Sequence, residues 1–424
     1  MSERSRVKAN GHAASPPPAL ARPRGSLIAA LDIGSTKVCC FVARVEAAPR
    51  VLGIGHQVAR GVRSGTIVDL EAAGHSIRNA VHAAEEMAGE QIERVVVNLS
   101  GGFAGSRIVK AEIDLGHREI SDSDMRQVLE RGYRMRGADD RQVIHSIPVG
   151  FSIDESRGIR DPRGMAGERL GINMHIVTAV RNHTAAIGRA HLETEALVVS
   201  PYAAGLACLV ADEMDLGVTV IDMGGGTTTI GVFFAGNLVF ADSLPVGGSH
   251  VTNDIARGLS TPLAHAERLK ALFGSAIAAT LDDRETIAVP QIGEEDEGHV
   301  SHVPKSLLVS IIAPRIEETF EMVRNRLEAS GFDKIAGRRV VLTGGACQLH
   351  GVRELAGLIL DKQVRIGRPA RIKGLAESTH GPAFSAAAGL LLFAMSEKAE
   401  SPHASRLPAG GLLGRVGQWL RENL

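Results

Sequence analysis

The pattern of apolar and polar positions divides the first part of the chain into short strands and one helix. From residue 26, SLIAALDIGSTKVCCFVARV holds two β-rich apolar runs joined by a polar turn, and RVLGIGHQVA has the composition of a third strand. Residues 69–89 follow a helical apolar period, and RVVVNLSGG then returns to a strand pattern. The sequence therefore predicts a strand meander, a helix and a further strand.

The same pattern returns in the second half of the chain. LGVTVIDMGGGTTTIGVFFAGNLVFADSLPVGG again reads as strand, Asp-x-Gly, a turn of small residues, strand, turn and strand, about 190 residues after the first copy. Such self-similarity is typical of an internal structural repeat. Two related lobes are predicted.

Three further segments surround the second copy. Residues 107–175 have the pattern of a separate small α/β unit, in which Ser121, three residues before Asp124, is a candidate N-cap for the helix ISDSDMRQVLERGYRMR. Residues 253–306 read as a helical segment followed by the acidic stretch IGEEDEGHVSH, which we expect to be a solvated loop. SLLVSIIAPRIEETFEMVRNRLEASGF then predicts a long helix ended by Gly331, with the strand RRVVLTGGA after it.

The two ends of the chain have different compositions from the rest. Residues 1–25 are basic and Pro-rich without an apolar core, so they are expected to be a disordered extension rather than a targeting peptide. AAAGLLLFAM, at 386–395, is half the length needed to cross a bilayer and is predicted to be a buried helix. Residues 396–409 are polar and contain proline, which is typical of a flexible linker.

The closing segment GGLLGRVGQWLRENL forms an amphipathic pattern that contains the only tryptophan of the chain. Such a helix could pack on its own protein, fill a partner's groove or lie in a membrane interface, and periodicity does not choose among these. The indole favours the membrane interface, where its ring is apolar-solvated and its N–H stays wet. On a helical projection the apolar positions share an arc of roughly 140°: Leu412, Leu413, Val416, Trp419, Leu420 and Leu424.

Composition narrows the class of partner. Among 424 residues the net charge is -1, which gives no general attraction to nucleic acid, so no nucleic-acid partner is expected and any membrane binding must be local. The four cysteines form no C-x-x-C pair, which predicts neither a zinc site nor a disulfide framework and fits a reducing cytoplasm. The histidines are scattered and are interpreted as ordinary surface or core residues.

The two Asp-x-Gly turns carry the candidate chemistry. In each turn a strand delivers an aspartate, Asp32 or Asp222, where the chain reverses through small residues. Glycines there let backbone N–H groups approach a phosphate, Ser and Thr hydroxyls add donors, and the aspartates could hold a hydrated Mg²⁺. A third turn, in VVLTGGACQLHGV, brings Gly344 and Gly345 from a strand end toward a helix.

Each of these turns taken alone fits an ordinary hairpin, since Gly and Asp are common in turns. Three in this order are much more specific. The sequence contains neither a G-x-x-x-x-G-K-[ST] loop nor a G-x-G-x-x-G after a strand, so the P-loop and Rossmann alternatives lose their main support.

In this order LDIGSTK, VIDMGGGTTTIGVF and LTGGACQLHGV resemble the phosphate-1, phosphate-2 and adenosine motifs of the actin, Hsp70 and sugar-kinase ATPase fold. Further stretches narrow the resemblance to the bacterial cell-division FtsA family, over about residues 27–395 and again in the closing helix. These stretches are RGVRSGTIVDLEAA, SIPVGFSID, GIRDPRGMAG, SPYAAGLACL, PVGGSHVTNDIARGLSTPLAHAERLK and IIAPRIEETFEMVRNRLEASGF.

The resemblance implies an α/β, actin-like (ribonuclease H-like) two-lobed ATPase fold with an FtsA-type small subdomain. The boundaries expected on this basis are 1–25 for the disordered extension, 26–106 for the first lobe (subdomain 1A, completed by 176–215 and 376–395), 107–175 for subdomain 1C, 216–252 with 307–375 for the second lobe (subdomain 2A), 253–306 for subdomain 2B, 396–409 for the linker and 410–424 for a membrane-targeting helix.

The resemblance also implies a binding site for ATP and Mg²⁺, with the two aspartates holding the metal through water. In Hsp70-like ATPases a glutamate begins the stretch that corresponds to SPYAAGL, whereas Ser200 begins it here and cannot act as a base, so hydrolysis is expected to be slow. The nucleotide-binding residues implied are Asp32, Gly34, Ser35, Thr36 and Lys37 on the first phosphate motif, Asp222, Gly224, Gly225, Gly226, Thr227 and Thr228 on the second, Gly248, Asn253, Glu267 and Lys270 nearby, and Gly344 and Gly345 facing adenosine.

The function implied is that of an ATP-binding scaffold rather than an enzyme. Such a protein polymerises on the cytoplasmic face of the inner membrane at the division site, binds the C-terminal peptide of FtsZ, tethers the FtsZ ring through its closing helix and contacts other division proteins. A related actin-fold cytoskeletal or pilus-assembly protein is the alternative. An ATP-dependent kinase or chaperone is less well supported, because no sugar-pocket aspartate is identifiable and only about thirty residues follow 395.

Overall fold

The computed structural model describes residues 22–101, 104–135, 141–179, 183–280, 282–292, 300–370 and 372–396. Within these ranges the strands are β1 Leu27–Ile33, β2 Lys37–Arg44, β3 Arg50–Val58, β4 Val62–Arg63, β5 Thr66–Ile67, β6 Arg94–Leu99, β7 Gly105–Glu119, β8 Gln142–Ile153, β9 Ser156–Ile159, β10 Ala166–Ala179, β11 Glu193–Val199, β12 Val218–Met223, β13 Thr228–Phe234, β14 Asn237–Leu244, β15 Thr286–Pro290, β16 Val300–Pro304, β17 Arg339–Thr343 and β18 Gln363–Ile366.

Helices connect these strands and pack against them. Over the same ranges they are α1 Leu70–Ala88, α2 Asp122–Arg134, α3 His183–Arg189, α4 Ser200–Cys208, α5 Ala211–Leu216, α6 Gly248–Gly258, α7 Leu263–Phe273, α8 Lys305–Ser330, α9 Val352–Leu360 and α10 Ser385–Met395.

Two five-stranded sheets have the same topology. The first has the order β11-β6-β1-β2-β3 and the second has the order β18-β17-β12-β13-β14, written in the corresponding direction. In each sheet the first strand of the meander pairs antiparallel with the second and parallel with the strand on its other side. The internal repeat predicted from the sequence is therefore confirmed at the level of strand order.

Local signals place the two long helices where the sequence predicts them. The Asp69 carboxylate caps α1 by accepting from the N–H groups of Glu71 and Ala72 at 3.0 and 3.1 Å, and Gly89, at φ 68°, ends that helix. α8 ends at Gly331, at φ 74°, as expected. The glycines adopt left-handed conformations that cost other residues more.

The small unit forms a four-stranded antiparallel sheet of order β7-β10-β8-β9, with α2 packed on one face. The predicted cap of α2 is present, because the Ser121 N–H donates to the Asp124 carboxylate at 2.9 Å. The Arg118 guanidinium donates two hydrogen bonds of 2.6 Å to the same carboxylate and holds its pKa well below the usual range.

One loop prediction is wrong in part. Val300–His302, which close the acidic stretch, lie in β16 and pair antiparallel with β15 in the register Val289↔Ser301. Backbone pairing with a strand more than ten residues earlier outweighs the polar composition of this stretch, and composition does not encode that pairing. Residues 293–299 of the stretch lie outside the described residues.

A shared core joins the two lobes through α4 and α10. Phe41 from the first sheet, Phe233 from the second and Leu390 from α10 belong to one buried cluster and are each at most 1% exposed. A Cβ on Gly389 of α10 would overlap the Ala203 carbonyl of α4, so the two helices touch backbone to backbone. The predicted burial of AAAGLLLFAM is confirmed for residues 386–391, whereas residues 392–395 are partly exposed. Among the described helices there is none with the length and apolar character of a membrane span.

Candidate nucleotide-binding site

The two Asp-x-Gly turns are closed by the same backbone hydrogen bond in both lobes. Asp32 and Asp222 lie near the ends of β1 and β12, the corresponding strands of the two sheets. The Gly34 N–H donates to the Lys37 carbonyl at 3.0 Å, and the Gly224 N–H donates to the Thr227 carbonyl at 2.8 Å. The repeat therefore includes the turns as well as the strands.

The turns of the two lobes pack directly on each other. A Cβ on Gly225 would overlap the Thr36 side chain, and a Cβ on Gly226 would overlap the Ser35 side chain. The sequence predicted these glycines for exposure of backbone N–H groups. The structure adds a steric reason, because residues from the other lobe occupy the space where a side chain would go.

The hydroxyls of the two turns have unequal surroundings. The Ser35 hydroxyl accepts from the Gly65 N–H at 2.9 Å, which brings the tip of the β4–β5 hairpin to the first turn. Thr228 is fully buried and its hydroxyl donates to the Val246 carbonyl at 2.8 Å, so it fixes the second turn rather than lining the cleft. Thr227, the neighbour of Thr228 in the second turn, is also buried, at 4% exposed. The sequence motifs did not identify the β4–β5 hairpin as a neighbour of the first turn.

Charge is concentrated between the turns. Burial raises the pKa of Asp32 to about 6, and the nearby Lys37 ammonium offsets part of this effect. Burial and then the charge of Asp32 raise the pKa of Asp222 to about 7. Burial lowers the pKa of Lys37, against the attraction of both aspartates. These three side chains therefore form one electrostatic unit.

The carboxylates fit a cation that keeps most of its water. No group of three or more His, Cys, Asp or Glu side chains that could hold a metal ion occurs among the described residues. Two acidic oxygen donors without a full protein cage suit Mg²⁺, which dehydrates reluctantly and is usually held by one or two carboxylates together with phosphate oxygens. The desolvation cost of both aspartates would fall if a cation lay between them.

The N-terminus of α6 lies on the second turn. The Gly248 N–H donates to the Gly224 carbonyl at 3.0 Å. Lys270 on α7 donates to the Gly248 carbonyl at 3.1 Å and to Glu267 at 2.7 Å, and it also reaches the Thr252 hydroxyl at 2.8 Å. The predicted pair Glu267 and Lys270 is therefore joined to the phosphate turn, and Thr252 is a member that the sequence did not single out.

The third turn reaches the second aspartate. Gly344 has φ 86°, and a Cβ there would overlap the Asp222 carboxylate and the Met223 carbonyl. Gly345 begins a short 3-10 turn directly after it. Asn253 lies on α6 and is exposed. The third turn and the second Asp-x-Gly turn thus meet at one end of the second sheet.

Ser200 has a structural environment. It is fully buried at the start of α4, where its hydroxyl accepts from the Asn98 side-chain amide at 3.0 Å. The side-chain Oδ1 of Asn98 in turn accepts from the Ile33 N–H at 2.7 Å. Ser200 is therefore linked through the Asn98 side chain to the strand that carries Asp32.

Two duplicated sheets with facing Asp-x-Gly turns define the chain as an actin-like protein. Solved structures agree on the fold: a PilM–PilN type IV pilus biogenesis complex matches with a TM-score of 0.61 at 17% identity, over 87% of this chain and 98% of that one. MreB5 of Spiroplasma citri bound to ADP matches with a TM-score of 0.52 at 14% identity, over 88% and 97%. Identities this low establish the fold alone.

Sequence comparison is more specific. A family model described as cell division protein FtsA matches residues 219–389, and one described as the SHS2 domain inserted in FtsA matches 101–178. Cell division protein FtsA of Rhizobium meliloti (strain 1021) is 47% identical over 94% of this chain and 95% of its own length, and that of Escherichia coli (strain K12) is 31% identical over 93% and 98%. The chain belongs to the FtsA family of actin-like cell division proteins.

Family membership favours the role of an actin-like cell-division protein over the kinase, chaperone and pilus-assembly alternatives. The residues predicted to contact the membrane, namely Leu412, Leu413, Val416, Trp419, Leu420 and Leu424, lie outside the described residues. Their role stays a prediction.

Proposed function

We propose that this protein binds ATP with Mg²⁺ between its two lobes, polymerises on the cytoplasmic membrane at the division site and tethers the FtsZ ring there. Family membership supports the role in division. The observation that carries the nucleotide part is the pair of equivalent turns, one in each lobe, together with the electrostatic coupling of Asp32, Asp222 and Lys37.

In this proposal the backbone N–H groups of the two turns bind the phosphates. Lys37 binds the β- and γ-phosphates, and Asp32 and Asp222 hold Mg²⁺ through its water ligands. A bound Mg²⁺ would neutralise phosphate charge. Glu267 and Lys270 contact the nucleoside, with the remaining members of the site at Gly34, Ser35, Thr36, Gly224 to Thr227, Gly248, Asn253, Gly344 and Gly345. Thr228 holds the second turn in place through its hydrogen bond to the Val246 carbonyl.

ATP acts mainly as a conformational ligand. A ligand that binds the closed arrangement of the lobes more tightly shifts the population toward it. The buried hydroxyl of Ser200 replaces a carboxylate that could orient water, so we expect only slow hydrolysis. ATP occupancy would then regulate assembly without rapid turnover.

Membrane tethering follows from repetition of a weak anchor. One short amphipathic helix binds a bilayer marginally and reversibly, whereas a polymer that carries many copies binds through avidity. We assign the contacts between subunits of the polymer to subdomain 1C, residues 107–175. The binding partners are the C-terminal peptide of FtsZ and other division proteins. The protein is thus a peripheral membrane protein at the division site.

Co-sedimentation with vesicles of phosphatidylethanolamine and phosphatidylglycerol tests the proposal. Trp419→Glu, like deletion of residues 410–424, should release the protein from vesicles without changing its ATP affinity or thermal unfolding. Gln418→Glu adds the same charge on the polar face of the predicted helix and should leave sedimentation nearly intact. Sedimentation of Trp419→Glu at the wild-type level would place the lipid contact elsewhere, and a lack of ATP binding by the wild type would remove the nucleotide part.

A further inference from the structure

The turn that begins α10 contacts both halves of the candidate site. Residues Pro382–Phe384 form one 3-10 turn. On the adenosine side, the Pro382 carbonyl accepts from the Gly344 N–H at 3.2 Å. On the phosphate side, the Ala383 carbonyl accepts from the Lys37 ammonium at 2.7 Å. None of the sequence motifs points to this turn.

The next residue, Phe384, lies under the Lys37 ammonium. The Nζ atom is 3.3 Å from the centroid of the Phe384 ring, well inside the range of a cation–π contact. The same ring stacks on Phe41 with centroids 6.1 Å apart and an interplanar angle of 18°. Phe41 is fully buried on β2 and is four residues after Lys37 on the same face of that strand.

This arrangement gives a flexible side chain a fixed support. A lysine ammonium is a mobile point charge on a flexible four-carbon chain, and ordering it for a ligand costs rotamer entropy. Here the Ala383 carbonyl accepts one of its three N–H groups and the Phe384 face attracts the charge. The remaining donors stay available beside Asp32 and Asp222.

We propose that Phe384 is a positioning residue for phosphate binding: its ring, fixed by Phe41, holds the Lys37 ammonium at the phosphate cradle. This inference rests on the proposed binding of ATP. It deepens that function by assigning a residue outside the three nucleotide motifs to the recognition of the phosphate chain.

Nucleotide affinities of three variants test the proposal. Phe384→Leu keeps an apolar side chain but removes the π face, and it should weaken ATP and ADP binding by about 3- to 30-fold, the range spanned by exposed and desolvated cation–π contacts. Adenosine affinity should not change, because adenosine carries no phosphate for Lys37. Phe384→Tyr keeps the π face and should stay within about twofold of the wild type.

Phe393→Leu is the matched control. It removes an aromatic ring from the other end of α10, where Phe393 contacts His145 and Tyr202 rather than the site, and it should leave all three affinities unchanged. Equal losses for ATP and adenosine in Phe384→Leu, or failure of Phe384→Tyr to restore binding, would reduce Phe384 to a packing residue and overturn the proposal.

A measurement without nucleotide separates this proposal from the proposed function. In ¹³C-lysine-labelled protein the ε-methylene protons of Lys37, assigned by loss of the signal in Lys37→Arg, should be shifted upfield by the ring current of Phe384. The shift should persist in Phe384→Tyr and vanish in Phe384→Leu. Its absence from the wild type overturns the contact itself, whereas an upfield signal in a protein that binds no ATP overturns the proposed function and leaves the contact standing.

Discussion

Replacing Asp222 with asparagine is expected to stabilise the nucleotide-free protein at high pH while abolishing its response to Mg-ATP. Burial and the charge of Asp32 raise the pKa of Asp222 to about 7 from an ordinary value of 3.8. A carboxyl whose pKa is raised by folding contributes stability below its unfolded pKa and loses that contribution as the pH rises through its folded pKa. Ionised Asp222 therefore opposes folding at pH 8.

The size of the effect follows from the raised pKa. Each pH unit between the two pKa values costs the wild type about 1.4 kcal/mol of unfolding free energy, so the interval from pH 5 to pH 7 costs about 3 kcal/mol. Burying the amide of asparagine costs about 1 to 3 kcal/mol, and that cost does not depend on pH. The stability of Asp222→Asn relative to the wild type should thus rise by about 3 kcal/mol from pH 5 to pH 8.

Urea unfolding of nucleotide-free protein at the two pH values measures this difference. Asp283→Asn, at an exposed position in the segment 253–306, controls for loss of an aspartate in general and should show no comparable change. Mg-ATP should raise the melting temperature of the wild type but not of Asp222→Asn, since ligand binding stabilises the folded state by mass action. A pH-independent difference between wild type and Asp222→Asn would refute the assigned electrostatics.

Two further predictions concern the turns and the reaction. Gly225→Val should abolish ATP binding in a fluorescent-nucleotide titration, because the new side chain would overlap Thr36 across the lobes, whereas Gly150→Val, built into open space on β8, should bind normally; normal affinity in Gly225→Val would remove this turn from the site. The turnover number for ATP, measured as steady-state release of phosphate, should be well below that of kinases, which is about 1 to 100 per second. Turnover within that range would contradict the role given to Ser200.

Much of the site could be predicted because its signals are local. Asp32 and Asp222 each follow a run of β-rich residues and precede small ones, so the two turns are visible in single segments of sequence. α1 carries its start signal at Asp69 and its stop signal at Gly89, and these caps act within one helical turn. The internal repeat required only comparison of the two segments.

The positions that only the tertiary structure decided are those that meet across the chain. The side chain of Thr36 occupies the space that a Cβ at Gly225 would need, although the two residues lie in different lobes. The Ser35 hydroxyl accepts from the Gly65 N–H, and the Thr252 hydroxyl donates to the Glu267 carboxylate. Both hydrogen bonds connect separate elements of the fold. Composition predicts a loop at Val300–His302, because it carries no information on the pairing of β16 with β15.

The sequence by itself determined two lobes, an Asp-x-Gly turn in each and the residue types that suit phosphate and Mg²⁺, because periodicity and turn chemistry act over a few residues. Only the tertiary structure brought the Lys37 ammonium into contact with Ala383 and Phe384. Ala383 lies 346 residues after Lys37 in the chain. That contact exists because α10, which follows the second lobe in the chain, packs back against the first sheet. The physical reason is that a side chain's final partners are set by the docking of sheets and helices, which no local pattern contains.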